Sequence, residues 1–276
     1  MRKLPFTPDV IYAHFWRSGR LVYELAKESS IPLFVATGES VIPNYDISHH
    51  YQDFYDYVRG VVCVSSNKRD ESVENGLTTN EKCQVIPNAI NDNLFKKLDK
   101  QECRRMLGIP KNIFVIAFVG WFNERKGVHR VAKAITSIKG EPVYSMFIGG
   151  KDEIDCPNIL IKDRIDHDKI PAYLNAADVF VLPTLQEGCC NAVIEAMACG
   201  LPVISSDLPF NWDVLNDSNS ILVDPKDIGQ IADAIVRLRD DKELRKKLSE
   251  GALLSAHNLT IEKRADTILK FVESKI

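Results

Sequence analysis

Two spacings of apolar residues alternate along the chain. Short apolar runs, such as DVIYAH at 9–14 and IFVIAFVG at 113–120, are separated by stretches whose apolar residues recur every three or four positions. The runs predict buried strands, the stretches predict amphipathic helices, and their alternation predicts parallel sheets covered by helices. In the first part strands are expected near 9–14, 31–36, 60–65 and 83–87, with helices near 17–29, 48–58 and 67–76. The polar, turn-forming segment PNAINDNLF at 87–95 reads as a linker. In the second part strands are expected near 113–120, 143–149, 158–162, 178–183, 202–206 and 220–224. Helices are expected near 100–107, 128–138, 168–176, 190–199, 227–239, 241–256 and 259–275.

Some boundaries follow from single residues. Asp227 with Gln230 resembles a capping box, followed by one helical face of Ile228, Ile231, Ala232 and Ile235. Gly200 accepts a left-handed cap and Pro202 cannot continue a helix, so the 190–199 helix stops there. Six strands suffice for a complete doubly wound domain. The four-strand first part begins in the middle of a strand–helix succession and reads as incomplete. The expected division is therefore 1–98 and 99–258, with the 259–276 helix returning to the first domain through Ile261, Ala265, Ile268, Leu269 and Val272.

Composition narrows the function. The 276 residues carry a formal charge of −3, with 45% hydrophobic and 26% charged residues, which excludes a disordered or collagen-like chain. Residues 1–98 hold 11 basic and 12 acidic side chains, so there is no basic arm and nucleic acid is not an expected partner. No apolar run approaches the ~18 residues of a membrane span. The start, MRKLPFTPDV, lacks the apolar core of a secretory signal. Seven cysteines (Cys63, Cys83, Cys103, Cys156, Cys189, Cys190 and Cys199) show no metal spacing and suit free thiols in a reducing cytoplasm.

The candidate chemistry lies in loops that follow strands. In 178–207 a strand ends at Leu182–Pro183, a loop carries Glu187–Gly188, and a helix begins at once, with Glu195 eight residues beyond Glu187. Free N–H groups and the partial positive charge of a helix start make an anion site, and Gly188 lets backbone approach a ligand. Carboxylates beside such a site are costly unless they face neutral hydroxyls, as a sugar and a ribose flanking a diphosphate would offer. Taken alone, the same spacing also describes an acidic first turn plus one solvated glutamate. A second loop, GWFNERKG at 120–127, sets Arg125 and Lys126 just before a helix, where cations oppose the dipole by ~0.3–1 kcal/mol unless an anion intervenes. A solvated basic loop is the alternative. Gly149–Gly150 close a further strand, as a turn would.

Residues 87–256 are similar to the C-terminal half of group 1 glycosyltransferases (family 4, GT-B fold). The similarity rests on Pro87-Asn88…Phe95, Gly120…Lys126-Gly127, Gly149-Gly150-x-Asp152, Ala176-Ala177-Asp178-Val179 and Pro183-x3-Glu187-Gly188-x2-Asn191-x3-Glu195-Ala196-Met197-Ala198-x-Gly200-x-Pro202-Val203. It implies an α/β, GT-B-like chain of two Rossmann-like domains facing a cleft, the first incomplete. It further implies retaining transfer of a sugar from a nucleotide-diphosphate donor to an acceptor hydroxyl, in polysaccharide or glycolipid synthesis, with neither metal nor further cofactor. Lys126 would neutralise the diphosphate, Glu187 would bond the transferred sugar and Glu195 the ribose. Backbone from Gly188 through Cys189 and Cys190 to Asn191 would cradle phosphate, with Gly120 and Gly149 at its border. The acceptor would be a saccharide or a lipid-linked sugar, reached by peripheral contact at the inner membrane face.

Three positions depart from the family pattern. Trp121 stands where an arginine usually follows the glycine, and Arg125 is the candidate replacement cation. Glu39 stands where a histidine usually lies near the sugar, and is the third catalytic candidate; His14, at a strand end, is a candidate sugar contact. The strand and glycine-rich turn expected to open the first domain are missing from it. That last departure leaves open a catalytically impaired nucleotide-sugar-binding remnant, one part of a split enzyme with a completing chain, or a homo-oligomer. An epimerase of the same fold is a further alternative. Asp166-His167-Asp168 matches a metal-binding DxD pattern but is better read as a helix cap, and the adjacent His49 and His50 as surface residues.

Overall fold

The computed structural model describes residues 8–42 and 51–276. His49, His50 and the start of the expected 48–58 helix lie outside the described residues. The chain forms two compact units. The first comprises Met1–Pro87, Glu187–Cys189 and Glu262–Ile276, and the second Asn88–Gln186 and Cys190–Ile261.

The first unit is built on four parallel strands in sequential order: β1 (Ile11–His14), β2 (Leu33–Thr37), β3 (Gly60–Cys63) and β4 (Cys83–Val85). Helices α1 (Trp16–Glu28), α2 (Gln52–Tyr57) and α3 (Ser66–Glu74) make the crossovers. Strands β2 and β3 are buried throughout, which is why LFVAT and GVVC are nearly continuous apolar runs rather than alternating ones. One face of the sheet packs Leu33, Val35 and Val61 with Trp16, Tyr23 and Phe54. The other packs Phe34, Ala36 and Val62 against Phe271 and Val272 of the last helix, α10 (Ile261–Glu273). The Phe34 and Phe271 rings meet edge to face at 6.2 Å. Gly60 leaves room for this contact, since a Cβ there would lie 2.9 Å from both rings.

Phe271→Ala is therefore expected to lower unfolding stability by about 3–5 kcal/mol, the cost of truncating a buried aromatic. Leu269→Ala, on the exposed side of the same helix, is expected to change it by no more than about 0.5 kcal/mol. Urea unfolding of both variants checks this; equal effects would contradict the packing.

The second unit is a six-stranded parallel sheet. Its strands are β5 (Phe114–Val119), β6 (Val143–Ile148), β7 (Ile159–Asp163), β8 (Val179–Leu182), β9 (Val203–Ser206) and β10 (Ser220–Val223). They lie in the order β10-β9-β8-β5-β6-β7. Helices α4 (Lys100–Leu107), α5 (Val128–Ser137), α6 (Ile170–Ala176), α7 (Asn191–Ala198), α8 (Ile228–Asp240) and α9 (Lys242–Ala256) cover it. The chain winds outward from β5 to β7, then returns to β8 and winds out the other way. The reversal leaves a crevice at the carboxyl ends of β5 and β8, the place where open sheets of this kind bind ligands.

A buried ionic network fixes the opposite, amino end. Asp178, just before β8, accepts from Val115 N (2.8 Å), Arg104 Nη2 (2.7 Å) and Lys100 Nζ (2.9 Å). Arg104, only 2% exposed, also donates to the carbonyls of Ala176, Lys111 and Ile113.

Some boundaries differ from the sequence reading. The segment that read as a linker is packed into the second unit, so the division falls at 87/88 rather than 98/99. Ile90 bridges to Thr260, Phe95 is 2% exposed, and Asn175 holds both Leu98 N and Lys96 O. Neither Asp166 nor Asp168 caps α6: the helix starts at Ile170 with Lys169 in the N-cap position, and Asp166 pairs with the Lys169 ammonium at 2.7 Å. Gly200 does close α7 in a left-handed turn, with φ of +79° and bonds back to Met197 and Ala196 carbonyls from Gly200 and Leu201. Asp227 caps α8 through Gln230 N, while the Gln230 side-chain oxygen accepts from Asp224 N rather than closing the box.

Candidate active site

Both loops singled out in the second unit emerge at the switch point. Gly120 ends β5 and Pro183 follows β8. Arg130, on α5, joins the two loops: its guanidinium donates to Glu124 O at 2.8 Å and to Pro183 O at 2.9 Å, and pairs with the Glu124 carboxylate. Arg125 adds a bond from Nη1 to Gln186 O at 2.7 Å, and Leu185 N returns one to Arg125 O. Gly127 turns the first loop into α5 at φ +83°, where a Cβ would lie 2.7 Å from Pro183 O. The loop thus needs glycine for both conformation and space.

These ties carry Lys126 into the crevice. Its backbone N–H donates to Asn123 Oδ1, and its stem lies along Gly120. The side chain is 9% exposed and its ammonium reaches the Cys190 sulfur at 3.8 Å. Cys190 is the N-cap of α7 and makes no side-chain capping bond. A buried ammonium therefore sits at a helix start whose partial charge is also positive. Asn191 opens the helix, its side-chain oxygen bonded by Asn88 at 2.8 Å. Deeper along α7, Glu195 is 9% exposed and one of its oxygens lies 2.9 Å from His167 Nε2. The His167 ring in turn lies tilted against Phe95, with ring centroids 5.0 Å apart.

Glycines set the border of this region. A Cβ on Gly149, at φ +133°, would lie 2.1 Å from Gly120 O, so the ends of β5 and β6 touch backbone to backbone. Trp121, beyond Gly120, is 61% exposed, and the Arg164 guanidinium lies 4.9 Å from its ring centroid.

The first unit holds the remaining candidates. A Cβ on Gly188 would come within 2.4 Å of Gly38 O, so the Glu187–Gly188 and Gly38–Glu39 stretches adjoin. Glu39 uses its carboxylate locally: Oε1 accepts from Trp16 N at 2.9 Å, and Oε2 from Thr37 Oγ1 and Gly38 N. It thereby caps α1 from another loop. The preceding Phe15 has φ +72° and ψ 149°, a conformation otherwise left to glycine, and His14 beside it is exposed. Lys68, 1% exposed, anchors the same loop by donating to Ser40 O and pairing with Glu71.

The loop sequence pointed to Lys126, Glu195, Gly120, Gly149, Asn191 and Cys190, and the structure brings them together within the second unit. It missed His167 and Arg164, which lie on the single loop after β7. Their spacing from β7 was visible, but their partners stand far away in sequence. Among the described residues no cluster of metal-ligating side chains occurs, and no helix is long and apolar enough to cross a membrane.

All seven cysteines are free. Burial pushes the Cys199 thiol up to about 12, with the Glu195 carboxylate adding to the effect, and burial holds Cys156 at about 11. Cys83 moves the other way, because the Cys63 thiol hydrogen-bonds to it and favours its thiolate. A lowered pKa means more thiolate near neutral pH. Iodoacetamide labelling followed by mass spectrometry is expected to modify Cys83 before Cys156 or Cys199.

Known proteins resemble this chain in sequence and in fold. The profile of the group 1 glycosyl transferases matches residues 99–254. TuaC of Bacillus subtilis strain 168, a glycosyltransferase assigned to teichuronic acid biosynthesis, is 28% identical over 255 residues, covering 88% of this chain and 64% of its own length. The UDP-Gal:alpha-D-GlcNAc-diphosphoundecaprenol alpha-1,3-galactosyltransferase of Escherichia coli is 25% identical, covering 94% of this chain and 74% of its own. Among solved structures, sucrose-phosphate synthase from Thermosynechococcus elongatus superposes with a TM-score of 0.82 at 21% identity, over 96% of this chain and 73% of that one. Anabaena HepE in complex with UDP-glucose gives 0.78 at 18% identity, over 96% and 79%. The α/β architecture is that of the GT-B fold. With more than half of its length matched by that profile, the chain belongs to the group 1 glycosyl transferases.

Proposed function

We propose that the chain transfers a sugar from a nucleotide-diphosphate donor to an acceptor hydroxyl with retention, in the assembly of a polysaccharide or glycolipid. One observation carries the reading. The Lys126 ammonium lies against Cys190, the N-cap of α7, so a cation and the positive end of a helix dipole converge on one place and together favour a bound anion. A diphosphate supplies that anion. The relatives named for teichuronic acid and for a diphosphoundecaprenol-linked galactose supply the polymer and glycolipid context.

In this reading Lys126 and the amides from Gly188 to Asn191 take up the charge that develops on the departing diphosphate. Fixed dipoles of this kind supply a large share of the barrier reduction in acyl and phosphoryl transfers. Glu195 holds the ribose hydroxyls, oriented by His167, and Glu187 bonds the transferred sugar. The acceptor oxygen bonds to the anomeric carbon as the carbon–phosphate-oxygen bond breaks, and the acceptor proton passes to the released diphosphate. No protein nucleophile takes part, and Glu39 acts by holding the loop beside Gly188. Because Lys126 and the amides provide the positive charge, turnover is expected to persist in EDTA.

Calorimetric titration with UDP- and GDP-sugars tests the site. Glu195→Ala is expected to weaken donor binding by roughly tenfold or more, as for loss of a charged hydrogen bond. Unchanged affinity would defeat the ribose assignment. NMR of the product is expected to show the donor's anomeric configuration, and inversion would refute retention.

A further inference from the structure

We propose that Arg164, its guanidinium over the indole of Trp121, reads the nucleobase of the donor, and that this base presents a carbonyl edge, uracil or guanine rather than adenine. The inference rests on the nucleotide-sugar reading of the site and adds to it the residue that selects the donor.

The placement comes first. Trp121 and Lys126 lie on the loop after β5; Arg164 and His167 lie on the loop after β7. The strand ends are tied in backbone, with Gly120 N donating to Ile148 O and Gly149 N to Asp163 O, each at 2.9 Å. Arg164 is the next residue, so the sheet itself delivers it to Trp121. One loop thus runs from the phosphate-binding lysine to the indole, and the other from the guanidinium to the histidine that holds Glu195. A ligand with its diphosphate at Lys126 and its ribose at Glu195 has only its base left to place, and the Trp121–Arg164 pair stands where the two loops meet.

The chemistry comes second. Among the described residues the Arg164 guanidinium makes no hydrogen bond or ion pair, and its carbon lies over the Trp121 ring, 4.9 Å from the centroid. Trp121 and Arg164 are both exposed, so neither is spent on the core. The cation–π contact holds the guanidinium at the indole and leaves its N–H edge unfilled. That edge is all donor, and its complement is an all-acceptor edge. Guanine offers O6 with N7, and uracil offers carbonyl oxygens. Adenine places an amino donor beside N7 and opposes an arginine. Arg164 is thus a specificity-determining residue and Trp121 a positioning residue that acts through it.

Calorimetry on the full chain with UDP, GDP and ADP tests the proposal. The unaltered protein is expected to bind UDP or GDP roughly tenfold or more tighter than ADP. Arg164→Gln is expected to erase that preference while leaving ADP affinity unchanged. Trp121→Phe, which keeps an aromatic face, is expected to keep the preference. Trp121→Leu is expected to lose it, and Trp121→Leu with Arg164→Gln to lose nothing more. Equal weakening of all three nucleotides by Arg164→Gln would make the residue a phosphate contact and overturn the proposal, as would three unchanged affinities. Lys126→Met and Glu195→Gln separate this failure from failure of the underlying reading. If these abolish nucleotide binding while Arg164→Gln leaves the base preference intact, the site stands and the base assignment falls. If no nucleoside diphosphate binds, or binding ignores both variants, the two fall together.

Discussion

Lys126→Ala is expected to lower turnover by about a hundred- to a thousandfold, with melting temperature close to that of the unaltered chain. The size follows from the position of the ammonium. A fixed cation facing the leaving group contributes about 3–4 kcal/mol to the transition state when removed in other enzymes. The side chain is 9% exposed, so the ammonium acts with little competing water. The scaffold should survive, because Arg130 and Arg125 tie the same loop to 183–186 through backbone carbonyls. Steady-state kinetics and a thermal melt check both halves. A turnover within a factor of a few of the starting value would remove Lys126 from the chemistry.

A large effect on stability is expected at the other end of the second sheet. Asp178→Ala is expected to destabilise the second unit by about 3–5 kcal/mol, the cost of leaving a buried charge without its partner. Arg104, 2% exposed, would keep its carbonyl bonds but lose its counter-ion, and Val115 N would lose its acceptor. Lys100→Ala removes the 40% exposed partner of the same carboxylate and is expected to cost no more than about 1 kcal/mol. Denaturant unfolding of the two variants reads the contrast. Similar small losses in both would show that the network is solvated rather than buried.

These residues also show what the linear sequence could reveal. The strands were legible because parallel strands buried on both faces, such as LFVAT and GVVC, carry nearly unbroken apolar runs. The loops after β5 and β8 stood out as strand–glycine–helix turns, and the resemblance to group 1 glycosyltransferases, rather than spacing alone, singled out Lys126, Glu187 and Glu195. Segment 87–95 was misread as a linker because its apolar residues are few among polar ones, and only the fold shows that Ile90 and Phe95 are buried. Glu39 was a candidate because it stands where the resembled family usually has a histidine, and the sequence did not show that its carboxylate caps a helix start 23 residues away. His167 was read only as part of a DxD pattern, since its partner Glu195 is 28 positions distant. The Trp121–Arg164 contact likewise joins two loops. What the chain pattern leaves out in each case is a contact between elements distant in sequence.

The account depends on an anion between a lysine and a helix start. A crystal structure of the chain soaked with UDP or GDP tests this directly. The expected result is diphosphate density within hydrogen-bond distance of Lys126 Nζ and of amides among Gly188–Asn191, with ribose hydroxyls on Glu195. Nucleotide bound elsewhere, with that position holding none, would contradict it.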